Sequence, residues 1–92
     1  PPSQTIYQVE PSTMEVIKSF PTPGPRPHGL AWDDGFLWCA DTSHRAIYKL
    51  DPRDGRTVDV IEDVQPDPHG LTIYQGSLWF CDAESRQVCR IV

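Results

Sequence analysis

Apolar and polar positions alternate along this chain in short runs, and each run ends at a turn residue. GLAWD stops at Asp34-Gly35 and FLWCAD at a polar corner, Thr42–Arg45. AIYKLD places Tyr48 and Leu50 on one face and Ile47 and Lys49 on the other, and RTVDVIED places Val58 and Val60 together. Between those two runs stands Pro52–Gly55, where proline presets φ and glycine accepts a positive one. Period-2 alternation in runs of about 5 to 7 residues predicts strands. Val, Ile, Trp and Tyr favour them, and ten prolines with six glycines work against long helices. The pattern predicts strands at 5–10, 14–20, 29–33, 36–41, 46–51, 57–62, 70–74, 77–82 and 87–91.

The runs repeat. Pro-His-Gly-Leu occurs at Pro27–Leu30 and again at Pro68–Leu71, an offset of 41 residues. The same offset carries Gly35 to Gly76, Leu37 to Leu78, Trp38 to Trp79, Asp41 to Asp82 and Arg45 to Arg86, with no gap. Residues 5–45 and 46–86 are two copies of one unit, and residues 87–92 begin a third, all within one repeat domain over 1–92. Four antiparallel strands in about 41 residues is the dimension of a β-propeller blade. The expected class is all-β, with about two four-stranded antiparallel blades per chain. The run 36–41 is apolar on both faces, as a strand covered by two neighbouring blades is, and 57–62 is charged, as an outer edge is.

The stretch PHGLAWDDGFLWCADTSHRAIYKLDPRDG resembles the NHL and gluconolactonase-like propellers and their streptogramin-lyase relatives. Ser43-His44-Arg45-Ala46-Ile47 resembles the motif that names the NHL repeat, and the second copy departs from it with Glu84-Ser85-Arg86. The resemblance implies a fold more than an activity, because these blades host many functions.

A propeller ring closes with about 4 to 8 blades. Two blades leave apolar strand faces bare at both ends, and repeats bury such faces only by stacking. The expectation is a homo-oligomer, a trimer of six blades first, since six-bladed rings are common among the families resembled. The alternative is that the chain is part of a longer propeller. The strand count leaves one surplus copy at 5–10, which is expected to be displaced or to pair elsewhere while 14–20 joins a neighbouring subunit.

His28 and His69 are the most suggestive side chains. Each is expected in the loop before the innermost strand of its blade, facing the channel. Two readings compete. In one, His28 and His69 bond Asp41 and Asp82 and lock the blade, as loop histidines do in WD-type propellers; repetition in both copies favours this structural reading. In the other they ligate a divalent metal, as the resemblance to a peptide-amidating lyase implies, since neutral imidazole is a common ligand of zinc and its neighbours. Arg26 and Trp32 are further candidates for lining the channel. Arg45 and Arg86 are expected to pair with Asp41, Asp82 or a neighbouring blade. Trp38 and Trp79 are expected to pack between blades, and Cys39 and Cys81 to be buried thiols.

Charge and composition narrow the partners. Eight basic against thirteen acidic residues give −5, which removes nucleic acid, and no apolar run of about 18 residues is available to span a membrane. No charged-then-apolar leader is visible, and the compartment stays open. Three cysteines without a C-x-x-C pair make neither a disulfide framework nor a zinc ribbon. No nucleophile elbow, His-Glu-x-x-His or glycine-rich phosphate loop is found. The function expected is an oligomeric binding or interaction scaffold whose channel accepts a small molecule or peptide. The alternative is a metal-dependent lyase or hydrolase using the channel histidines.

Overall fold

A computed structural model describes residues 4–65, 68–82 and 87–91. The described residues form nine strands: β1 (Thr5–Val9), β2 (Val16–Pro21), β3 (Pro27–Asp33), β4 (Phe36–Asp41), β5 (Ala46–Leu50), β6 (Thr57–Ile61), β7 (Gly70–Tyr74), β8 (Ser77–Asp82) and β9 (Gln87–Ile91). They form three antiparallel sheets in the orders β1-β2, β3-β4-β5-β6 and β7-β8-β9. The middle sheet is a full four-stranded blade. The first sheet holds only the two outer strands of a blade, and the third only the three inner ones.

The hairpins are set by local chemistry that repeats. Asp34 and Gly35 link β3 to β4 with φ of 49° and 83°, and Gln75 and Gly76 link β7 to β8 with φ of 49° and 77°. Two successive positive φ values are those of a type I′ turn, whose twist matches that of the flanking strands. β2 begins at Val16, two residues later than the alternation predicts, because Met14 takes a φ of 62° in the turn that closes Glu10 on Glu15. β3 begins two residues earlier, at Pro27, so His28 stands in the strand itself and not in a loop before it. A register shift between Pro27 and Gly29 marks that extension.

Alternation within the strands divides the core in two. Cys39 and Leu50 of the middle sheet pack against Ile6 and Phe20 of the first sheet. Ala40 and Ile47, on the opposite face, pack with Leu78 and Phe80 of the third sheet, joined by Val64 from the loop after β6. β4 and β5 are thus covered on both faces, which is why β4 is apolar from Phe36 to Ala40. Trp38 is half-buried against the second cluster, between the middle and third sheets. Trp79, one repeat later, lies on the opposite face of the third sheet, with Arg90 over its ring at 5.9 Å. Within the chain β1 stays paired with β2 from Thr5↔Pro21 to Val9↔Val16, so the surplus strand is not displaced here.

Cys81 departs from expectation. Cys39 is buried, but Cys81 is exposed, because its alternation turns it to the outer face of the third sheet. Burial, reinforced by the charge of Asp41, pushes the Cys39 thiol from 9.0 up to about 11.

Candidate functional site

The innermost strands of the two neighbouring blades, β3 and β7, run in contact, and their first residues make the candidate site. A Cβ on Gly29 would strike the backbone carbonyl of His69, so only glycine lets the two strands approach this closely. The Thr42 hydroxyl donates to the carbonyl of Pro68 at 3.1 Å, and the His69 amide donates to the carbonyl of Cys81 at 3.0 Å. The first of these bonds ties the second Pro-His-Gly-Leu segment to the corner after β4, and the second anchors it on β8. The outcome is a direct contact of imidazoles: the rings of His28 and His69 lie with centroids 4.6 Å apart and planes tilted by 58°. His28 is exposed and His69 half-buried. His28 also lines a cavity of about 400 Å³ with Thr5, Pro27, Leu30 and Cys39.

Asp41 is fully buried, yet its carboxylate does not hold His28. One oxygen accepts the Arg26 amide and the other the His44 amide, each at 2.8 Å. The expected imidazole partner is replaced by two backbone donors, His44 from the turn after β4 and Arg26 from the segment just before β3. The Arg26 carbonyl in turn accepts the Thr42 amide at 3.1 Å, so Arg26 is fixed by its backbone while its side chain stays exposed. Asp82 is buried at the equivalent position of the third sheet. Arg86 lies outside the described residues. Arg45 takes a φ of 49° in the turn before β5, and its carbonyl accepts the Val64 amide at 2.9 Å.

Two groups carry structure here in roles that the sequence did not assign them. Thr42 ties the blades together, but its repeat counterpart is Ala83, so no recurrence marks it. His44 places Nδ1 2.8 Å from the Tyr48 hydroxyl, linking the motif corner to β5. Burial and the charge of Asp41 hold the Tyr48 phenol protonated above its ordinary range.

Trp32 is not core. It is 60% exposed and lines a second cavity, of about 420 Å³, with Ile6, Phe20, Leu30 and Leu37. This cavity lies beside β3, where the two inner strands that the first sheet lacks would stand. Its rim includes Arg53, whose guanidinium bonds the buried Asp51 at 2.7 Å. That bond and the Arg53 amide at 2.9 Å hold the Asp51 carboxyl down from 3.8 to about 2. Asp51 therefore closes the β5–β6 turn. Among the described residues, no three His, Cys, Asp or Glu side chains stand close enough together to hold a metal ion.

No known protein family matches the sequence, and no curated protein matches it. Solved structures do. A glutaminyl cyclase from Myxococcus xanthus superposes with a TM-score of 0.69 at 14% identity, over 85% of this chain and 42% of that one. The β-propeller domain of Cps50 (Swd1) from Myceliophteria thermophila superposes with a TM-score of 0.61 at 14% identity, over 95% of this chain and 32% of that one. The chain thus spans less than half the length of either neighbour. The three sheets, stacked face to face with their β3 and β7 edges together, are blades of a β-propeller.

Proposed function

We propose that the chain is an NHL-like propeller segment that serves as a binding scaffold, taking a small molecule or peptide segment at the channel-side mouth formed by the two Pro-His-Gly-Leu segments. The observation that carries this reading is the contact of His28 with His69, two polar rings from successive blades brought together at the inner edge of the sheets. The cavity beside His28 gives a ligand apolar contact, and the exposed Arg26 supplies charge near the same edge. Binding sites combine a concave apolar surface with a few convergent polar groups, which is the arrangement here. The NHL assignment draws on Ser43–Ile47, where His44 and Asp41 organise the corner between β4 and β5.

The test is a nuclear magnetic resonance screen of the labelled chain against a library of soluble fragments and short peptides. Shifts clustering on Arg26, Pro27, His28, Leu30 and His69 support the reading. Binders that shift other regions and leave these residues still would refute it.

The ring contact also favours a second reading, in which the imidazoles are the first ligands of a metal-dependent lyase or hydrolase whose remaining ligands come from further blades. Titration with zinc chloride separates the two readings. Zinc binding that is lost in both His28→Asn and His69→Asn supports the metal reading, and fragment binding without zinc supports the scaffold.

A further inference from the structure

The contact between the middle and third sheets has counterparts one repeat earlier and one repeat later. Leu71, Ile73 and Leu78 of the third sheet are covered by the Ala40 and Ile47 face of the middle sheet. One repeat earlier their counterparts are Leu30, Trp32 and Leu37, on the other face of the middle sheet. Leu30 is 49% and Trp32 60% exposed, and all three border the cavity beside β1. At the far end the shortfall is reversed. Ile47 is fully buried, while Val88 at the same repeat position is 71% exposed. Gly70, Trp79, Cys81 and Val88 line an open hollow there, and they are the counterparts of Gly29, Trp38, Ala40 and Ile47. Even the cation over the strand tryptophan recurs, with Lys49 5.6 Å from the Trp38 ring and Arg90 5.9 Å from that of Trp79.

We infer that these two faces bind each other across chains. The outer face of one copy's third sheet docks on the Leu30–Trp32–Leu37 face of a second copy, head to tail, reproducing the interface between the middle and third sheets. Its β7 and β8 fill the place of the two inner strands missing beside β1 and β2. The carrying juxtaposition is a surface that the chain covers at one position of its repeat and leaves bare at the next. β1 and β9 stand two repeats apart and hold the same place in a blade, so one of them yields in the joined assembly. Two blades per chain then remain, and three chains make a six-bladed ring. This inference rests on the fold and not on the ligand reading.

A heterologous interface has a signature that a symmetric one lacks. Light scattering of the wild-type chain at tens of micromolar should give a multiple of 10.4 kDa, three chains being expected. Leu30→Asp spoils one face and Val88→Asp the other. Both residues are exposed in the single chain, so each variant should keep its β-type circular dichroism and fall to the mass of one chain. Mixing the two variants restores one intact interface, between the Val88 face of the first and the Leu30 face of the second, and should yield a dimer of unlike chains. A monomeric wild type, variants that keep the wild-type mass, or a mixture that stays monomeric would each overturn the inference. Should Val88→Asp fail to fold, Val88→Lys takes its place.

Discussion

His28 and His69 meet ring to ring at 4.6 Å although they belong to different sheets. The contact depends on the glycine between Pro27-His28 and Leu30, which lets β3 run against the backbone of β7. His28 is not placed as a strut on Asp41, since Asp41 spends both oxygens on backbone amides. His28→Asn is therefore expected to leave the stability of the chain within about 0.5 kcal/mol of wild type, the range of surface substitutions. Urea unfolding measures it. A loss above about 1 kcal/mol would return His28 to the structural role that repetition alone suggests.

Asp41→Ala should behave in the opposite way. It strands the Arg26 and His44 amides, both of which now donate to a fully buried charged acceptor. Hydrogen bonds to charged groups contribute about 1.5 to 3 kcal/mol each. The expected loss is about 3 kcal/mol or more, read as a fall in the urea midpoint. A variant as stable as wild type would mean that solvent satisfies those amides, and that the corner is looser than its geometry states.

The strands were legible because alternation and turn chemistry agree in both copies of the repeat. Asp34-Gly35 and Gln75-Gly76 specify the same turn with different side chains, and an offset without gaps fixes the register. The site was less legible for a physical reason. Asp41 could be marked from sequence as a recurring buried acid, but its partners are amides, which carry no residue identity. The contact of His28 with His69 follows from the extension of β3 to Pro27, which no alternation signals. Cys39 and Cys81 occupy matching runs but stand one repeat position apart, Cys81 answering to Ala40, so alternation turns them to opposite faces, and which face is covered becomes visible only when the sheets are stacked.

The acid limb of stability should carry the mark of Asp51. Its carboxyl stands at about 2 in the fold, held down first by the side-chain bond from Arg53, against an ordinary 3.8. Between those values the unfolded chain binds more protons than the folded one, so stability rises with pH there. The contribution is fully present above about pH 4 and is lost as pH falls toward 2. Arg53→Ala should raise the Asp51 pKa toward its ordinary value and flatten this part of the profile. Urea midpoints taken from pH 2 to pH 5 test it, and identical slopes for wild type and variant would show that Asp51 is not the group responsible.

The thiols should separate by rate. Alkylation proceeds through the thiolate and needs access. Cys39 is closed off by Ile6, Phe20 and Leu50, and its pKa of about 11 leaves almost no thiolate at pH 8. Cys81 sits one repeat position further along its strand and faces outward, in the hollow with Gly70, Trp79 and Val88. In dilute native protein, iodoacetamide should modify Cys81 well before Cys39, with peptide mass spectrometry locating the adduct. Urea should bring the two rates together by removing the burial that distinguishes them. The proposed head-to-tail docking predicts that the Cys81 rate falls as protein concentration rises while Cys39 stays slow, since that docking would cover the hollow. Equal native rates for Cys39 and Cys81 would contradict the alternation that turns one thiol into the core and the other out of it.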